Sequence, residues 1–503
     1  MNTSDRPVAV IGAGPVGLIT ALGLVAHGVP VVVFEAGDDL SADTRAGTVL
    51  TRTLEVLDRY GALGPVLEVS LRLDEIGEVD RATGTSTGSV LLSALADETR
   101  FPFVVNVPQH ELEPALAGVL RERAPGALRM GHRLVDFVQH DDGVTLQLST
   151  SDEIVSFEAA YVLGCDGGRS TVRERLGARM DGHTLEQRYV LVDLVCDLDV
   201  GNPRDYPYLA YFGDREEWMV LVRQPHCWRF VFPLAPGRPE PSADELRDRA
   251  RHFVGEVDSV EVLGKNVYTV HHRVASSWRD RRVFLLGDAA HLITPMWALG
   301  LNTGVLDASN LPWRLAWVLR GWAAAELLEG YEAEQRPVAV HGSGAMAEAA
   351  RAVMSRRSDS VAGWRDAMTR TLLGVRLGAD WSMTRTGPPQ AGDRAPDLRV
   401  FGPRGPVHLH EMCRDTFLAL HLTDARRRPF LPDDDPAGLR QVVVSRWDAP
   451  RAYFDPGDSV RERFGEVVVL LRPDAHIAHV EPWTATSWQS VRARYLQEVR
   501  LEG

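Results

Sequence analysis

Residues 7–36, PVAVIGAGPVGLITALGLVAHGVPVVVFEA, restrict the fold of this chain more than any other stretch. An apolar run from Val8 to Ile11 meets Gly12-Ala13-Gly14-Pro15-Val16-Gly17. An apolar stretch of helical length follows and ends at Gly28. A second run, Val31 to Phe34, stops at Glu35-Ala36. Strand, glycine turn, helix and strand with a terminal acid make the βαβ unit that binds a dinucleotide. Gly12 permits the tight turn, Gly14 lets the backbone approach a pyrophosphate at the helix N-terminus, and Gly17 lets helix and strand pack closely. Glu35 is the expected acceptor for the adenosine ribose.

The same stretch has no charged side chain between residues 8 and 34 apart from His27, so it imitates a signal peptide or a membrane span. The glycines and Pro30 interrupt it and no basic region precedes it, so the βαβ reading fits better and no membrane segment is expected. The net charge of −14 argues against nucleic acid and anionic membrane as partners, since both are polyanions. Cys165, Cys196, Cys227 and Cys413 are scattered without a CxxC pair. Neither a metal site nor a disulfide framework is expected, and a reducing cytoplasm is the expected location.

At 503 residues, the chain has room for about three domains. The segment from Arg45, RAGTVLTRTLEVLDRYGAL, has helical spacing, as does 108–124. Alternating runs flank Asp142-Gly143, and another strand stops at Asp166-Gly167 before a helix. Residues 181–275 hold aromatic-rich runs joined by turns, the pattern of an antiparallel sheet. The run Val283 to Leu286 then stops at Gly287-Asp288, and a Pro- and Gly-containing loop leads into a long helix. Residues 312–375 are expected to be mainly helical, the Pro-rich 385–398 a linker, and the tail a small α/β domain. A second GxGxxA at Gly342, Gly344 and Ala347 lies in a helical pattern with no strand after it, which excludes a separate nucleotide-binding unit there.

Three motifs together, GAGPVG with Glu35, CDGGRSTVR at 165–173 and LLGDAAHLITPMWALGLNTGVLDASNLPWRLAWVL from Leu285, resemble the group A flavoprotein monooxygenases, the para-hydroxybenzoate hydroxylase-like aromatic hydroxylases. The resemblance spans residues 7 to about 345. AGDRAPDL and VVVLLRPDAHIAHV resemble the thioredoxin-like tail of the phenol and polyketide hydroxylases. It implies an α/β fold: a Rossmann-like FAD-binding domain in two parts (1–180, with a connection to the substrate domain near 71–105, and 276–390), an inserted antiparallel substrate domain (181–275), and a thioredoxin-like domain (391–503). Without a CxxC the tail is expected to be structural or dimerising.

Carried over residue by residue, the resemblance implies that Gly12, Ala13, Gly14, Pro15, Val16 and Gly17 form the phosphate turn and Glu35-Ala36 the ribose end. It implies that Arg45, Gln109 and Leu134 reach FAD, that Asp166-Gly167 serves FAD and the pyridine nucleotide, and that Asp288 holds the ribityl hydroxyls. Pro295, Gly300, Leu301 and Asn302 are implied to lie beside the isoalloxazine. Asn302 is expected to N-cap the following helix, whose dipole would favour negative charge on the flavin. Where many members have Gly-Gln-Gly, this chain has Ala298-Leu299-Gly300, and Trp297 is bulky beside it.

The implied reaction uses non-covalent FAD, NADPH or NADH, and O2 to hydroxylate a small aromatic or polycyclic substrate through a flavin C4a-hydroperoxide, with a homodimer as the expected assembly. Tyr211, Trp218, Phe232 and Trp297 are the candidate pocket residues. His226, His291 and Tyr211 are candidate bases, and the sequence selects none of them. A Baeyer–Villiger oxygenase on the same fold, and a flavin-binding protein with little oxygenase activity, are the two alternatives.

Overall fold

The computed structural model describes residues 6–41, 47–80, 83–198, 206–213, 217–255, 260–354, 373, 376–377, 387–423, 431, 434–447 and 452–500. Arg45 lies outside them, as do residues 355–372 of the expected helical segment and 385–386 of the expected linker.

Val8–Ile11, Val31–Phe34, Val162–Gly164 and Val283–Leu285 are wholly buried strands of one six-stranded sheet. Its order is Arg279–Asp280, Val283–Leu285, Val162–Gly164, Val8–Ile11, Val31–Phe34, Leu128–Arg129, parallel except at the first pair. A continuous apolar run suits a strand covered on both faces. Pro15–Ala26 packs on Leu299–Leu319, and both helices are largely buried.

The aromatic-rich region forms an eight-stranded sheet. Its order is His291–Leu292, Glu261–Ala275, Met180–Val195, Trp228–Leu234, Met219–Arg223, Leu209–Gly213, Glu75–Asp80, Ser86–Leu91. All its pairings are antiparallel except Leu209–Gly213 with Glu75–Asp80. Both faces of this sheet are apolar. One carries Tyr189, Tyr211, Trp218 and Val222 toward the Trp297 loop. The other carries Val190, Val192, Phe212, Phe230 and Phe232, covered by the helix Ala243–Val254. That helix replaces one of the expected turns, and Ser242 and Glu245 form a capping box at its start.

The segment after Arg45 departs from the expected helix. Thr48–Val49 is a strand paired with Val104–Asn106, and the helix is only Thr51–Arg59. The Gly342–Ala347 region is helical, as its pattern required.

In the tail, Gly405–His408, Arg399–Gly402, Ala452–Phe454, Leu439–Ser445, Phe417–Leu422, Val467–Leu471 and Ile477–Pro482 form a seven-stranded mixed sheet with its own core. The segment before it is no loose spacer. Asp393, Arg394 and Asp397 are buried, and Arg394 Nε donates to Glu55 Oε2 at 2.8 Å. Glu55 also receives Arg52 at 2.8 Å and the Thr99 hydroxyl at 2.7 Å, and Arg52 reaches the Asp474 carbonyl at 2.7 Å. Trp313 stacks edge-on against Phe417 at 5.5 Å. The tail is thus locked to the helices Thr51–Arg59 and Leu299–Leu319 by buried charge and aromatic contact. Among the described residues no helix is long and apolar enough to cross a membrane.

Candidate active site

Four adjacent parallel strands end at the same edge of the six-stranded sheet, and each delivers an expected site residue there. Val8–Ile11 ends at Gly12, Val31–Phe34 at Glu35-Ala36, Val162–Gly164 near Asp166-Gly167, and Val283–Leu285 near Asp288. In open α/β sheets this carboxyl edge is where ligands bind.

The turn between the first strand and helix fits a pyrophosphate. Gly12 has φ of +103°, and a Cβ on Gly17 would lie 2.0 Å from the Gly12 carbonyl oxygen. A Cβ on Gly14 would meet nothing within 4 Å, so the turn is open where Pro15, Val16 and the helix N-terminus begin. Glu35 is held by main chain: Oε2 accepts from Ala13 N–H at 2.8 Å and Oε1 from Gly37 N–H at 2.9 Å. Those two bonds fix the carboxylate beside the glycine turn and leave acceptor capacity for a diol. Gln109 opens the helix Gln109–Arg123, and its amide donates to Glu113 at 2.7 Å. Leu134 keeps its side chain in the core, at 4% exposure.

Ser170 N-caps the short helix Thr171–Arg175, and the Asp166 carboxylate braces that end, accepting from the Ser170 hydroxyl and from Val172 N–H at 3.0 Å. Burial raises its pKa above the ordinary carboxylate value, against the hydrogen bond from Ser170. Arg173 joins this motif to the next, donating to the Gly168 carbonyl at 2.8 Å and to the Ala289 carbonyl at 3.0 Å. Asp288 itself is exposed on the wall of a large cavity.

That cavity has a volume of about 550 Å³ and lies between the large sheet and the Asp288–Leu301 loop. Tyr211, Trp218 and Trp297 line it, with Pro295 from the loop and Gly300 and Leu301 from the start of the helix Leu299–Leu319. Phe232 does not. Alternation along Trp228–Leu234 turns Val231 to the cavity and Phe232 to the opposite face, where it meets Phe253 at 5.6 Å. Trp297 and Ala298 both have φ of +58°, a left-handed conformation that is uncommon outside glycine and costs about 1 kcal/mol or more per residue.

Asn302 corrects an expectation. The helix begins at Leu299 with Ala298 as its N-cap, so Asn302 lies within the first turn. Its side chain is instead a four-way staple. Oδ1 accepts from Leu50 N–H at 2.9 Å and the Thr53 hydroxyl at 2.7 Å; Nδ2 donates to the Thr48 carbonyl at 3.0 Å and the Ala298 carbonyl at 2.7 Å. The helix N-terminus still opens on the cavity through Gly300 and Leu301.

Of the candidate bases, His226 is exposed on the surface beside Glu111 and His291 is fully buried behind the loop. Only Tyr211 lines the cavity, and burial pushes its phenol well above the ordinary value. Cavity residues without a sequence motif include Thr48, Tyr189, Gln224, Tyr268 and His271. Alternation along Met180–Val195 could have singled out Tyr189; Tyr268 and His271 are three residues apart, and the register shift opposite Thr184 and Arg188 interrupts the alternation between them.

A glycine turn open at a helix N-terminus, acids at the ends of adjacent parallel strands and an aromatic-lined cavity beside them fit an FAD-dependent monooxygenase of the aromatic hydroxylase class. The FAD binding domain family matches residues 5–342, and the chain belongs to that family. It is 31% identical over 344 residues to para-nitrophenol 4-monooxygenase of a Pseudomonas species, covering 67% of this chain and 84% of that one. It is 30% identical over 511 residues to 12-dehydrotetracycline 5-monooxygenase/anhydrotetracycline 6-monooxygenase of Streptomyces rimosus, covering 95% of each. The crystal structure of aklavinone-11 hydroxylase in a ternary complex with FAD and aklavinone superposes with a TM-score of 0.83 at 27% identity, over 99% of this chain and 100% of that one.

Proposed function

We propose that the chain hydroxylates a polycyclic phenol, with the ring held in the 550 Å³ cavity between the large sheet and the Asp288–Leu301 loop. The observation that carries this reading is the cavity itself: its wall is mainly aliphatic and aromatic with a few polar groups, and its floor is the loop that bears Asp288. Bound beside this cavity, FAD would supply the redox chemistry, coupling NAD(P)H oxidation to reduction of O2, with one oxygen atom going to the ring and the other to water.

The chain's own part is positioning and exclusion of water. The Gly14 turn and the helix Pro15–Ala26 receive the pyrophosphate, Glu35 the ribose, and Asp288 the ribityl chain. Gln109 and Arg45 belong to the same cofactor site in this reading. The free N–H groups at the start of Leu299–Leu319 favour negative charge beside the cavity. Tyr211, Trp218 and Trp297 enclose the ring and keep bulk water from it. FAD is bound without a covalent link in this reading.

The reading extends to the tail as a thioredoxin-like unit without redox chemistry. Cys413 is its one cysteine, and burial pushes that thiol up to about 12. None of the four cysteines is in a disulfide, which fits a cytoplasmic enzyme. A screen of one-ring and fused-ring phenols for accelerated NAD(P)H oxidation by the flavin-loaded protein tests the function. Acceleration with a hydroxylated product is expected; no acceleration by any phenol would count against it.

A further inference from the structure

The cavity wall carries two buried polar groups that nothing in the protein satisfies. Gln224 is 1% exposed, and neither its amide nitrogen nor its amide oxygen has a hydrogen-bond partner. Tyr189 is fully buried, and its hydroxyl is likewise without a partner. Both residues line the cavity. Buried amides and phenols are nearly always paired, so two such groups on one cavity wall point to a ligand that pairs them.

Gln224 is held in place rather than loose. Its backbone N–H donates to the Cys227 carbonyl at 2.8 Å, closing a tight turn after the strand Met219–Arg223. Its neighbour Arg229 gives Nε and Nη2 to Asp193, and no hydrogen bond joins the guanidinium to the Gln224 amide oxygen. The buried Arg229–Asp193 pair is bidentate, at 2.8 Å and 3.0 Å. The main chain at Gly47 closes the other side: a Cβ there would lie 2.5 Å from Gln224 Nε2 and 3.4 Å from Arg229 Nη1.

Strand register places the two groups at opposite ends of one wall. Arg229, beside Gln224, pairs with Asp193; Val231 pairs with Leu191; Pro233 pairs with Tyr189. From Asp193 to Tyr189 the strand advances four residues, about 13 Å at the usual rise. Leu191 and Val231, both cavity residues, form the apolar stretch between them. A one-ring phenol cannot meet both ends. A flat, fused-ring molecule with oxygen at each end can.

We propose that Gln224 and Tyr189 are the two specificity contacts of the site, and that together they select an elongated fused-ring phenol with oxygen substituents at both ends. The Gln224 amide, donor and acceptor at once, takes the hydroxyl or carbonyl edge at one end. The Tyr189 hydroxyl takes the oxygen at the other, and Leu191 and Val231 cover the apolar span. This rests on the cavity being the substrate site.

The test uses the flavin-loaded protein and three compounds: 2,6-dihydroxyanthraquinone, with a hydroxyl at each end; 2-hydroxyanthraquinone, with one; and 4-nitrophenol, with a single ring. Binding is read from the perturbation of the flavin absorbance. The dihydroxy compound is expected to bind most tightly. Gln224→Met and Tyr189→Phe, which keep size and shape, should each weaken it about tenfold, and the double variant about a hundredfold, because the contacts are separate. The monohydroxy compound should respond to one variant and not to both. Melting temperature and FAD content, measured on every variant, separate loss of contact from loss of fold. Unchanged binding of the dihydroxy compound in both single variants overturns the inference while leaving the cavity assignment standing. Failure of all three compounds to perturb the flavin in the unaltered protein overturns the cavity assignment, and the inference with it.

Discussion

His291 Nε2 lies 2.8 Å from Asp307 Oδ2, and both side chains are fully buried beneath the loop that carries Asp288. The same carboxylate oxygen accepts from Gly287 N–H at 2.9 Å. Asp307 on the long helix therefore fixes both flanks of Asp288, and His291, stacked on Trp278 at 5.2 Å, is a positioning residue for the loop.

Asp288→Ala should lower FAD affinity. A hydrogen bond to a charged acceptor contributes about 1.5–3 kcal/mol, which corresponds to a ten- to hundredfold rise in the dissociation constant. Titration of the stripped protein with FAD measures this; an unchanged constant removes Asp288 from the cofactor site. Asp307→Asn should weaken FAD binding less, since it loosens the loop without deleting a contact.

Trp297→Ala should leave FAD bound, weaken the aromatic substrate and raise the fraction of NAD(P)H electrons lost to hydrogen peroxide. The indole is 3% exposed and closes one side of the cavity, packing in one apolar cluster with Met296 and Met346. Melting temperature should also fall, since truncating a buried aromatic costs about 3–5 kcal/mol. Loss of FAD with peroxide yield unchanged would reassign Trp297 to loop packing alone.

Arg394→Met should destabilise the protein by up to about 3–5 kcal/mol, because it leaves Glu55 buried with only part of its charge partners. The double variant Glu55→Gln/Arg394→Met should recover part of that loss. A fall in denaturation midpoint that is no smaller in the double variant would show that the pair does not lock the tail.

Stability should fall on acidification below pH 6.5. Burial holds His410 at about 4 and His27 at about 3, both from an ordinary 6.5. Asp397 and Glu55 oppose the shift of His410, while Arg394 and Arg59 add to it. In this window the unfolded chain binds protons that the folded chain refuses, so stability is full above pH 6.5 and is lost as pH falls toward 4 and 3. His410→Gln should flatten the dependence between pH 6.5 and 4 in chemical denaturation; an unaltered slope would show that His410 does not titrate in this way.

The glycine turn and the acids that meet at one edge of the six-stranded sheet were legible because they are written in local sequence. A glycine turn between strand and helix, and acids at strand ends, need only neighbours along the chain. The staple made by Asn302 was not legible. Its partners Thr48, Leu50 and Thr53 are some 250 positions away, and N-cap propensity pointed to a different role. Thr48–Val49 looked helical because an apolar spacing cannot register the pairing with Val104–Asn106. The helix Ala243–Val254 could have been found, since Ser242 and Glu245 spell its capping box. Phe232 was misplaced because both faces of the large sheet are apolar: alternation marks two faces and does not say which one meets the cavity.

Turnover under isotopically labelled O2 with a fused-ring phenol tests the central claim most directly. The account predicts a hydroxylated product carrying one labelled oxygen atom, formed with one NAD(P)H consumed per product, and lost when Trp218 or Tyr211 on the cavity wall is replaced by a charged side chain. NAD(P)H consumption that no aromatic compound accelerates, with all of the label in hydrogen peroxide, would contradict it.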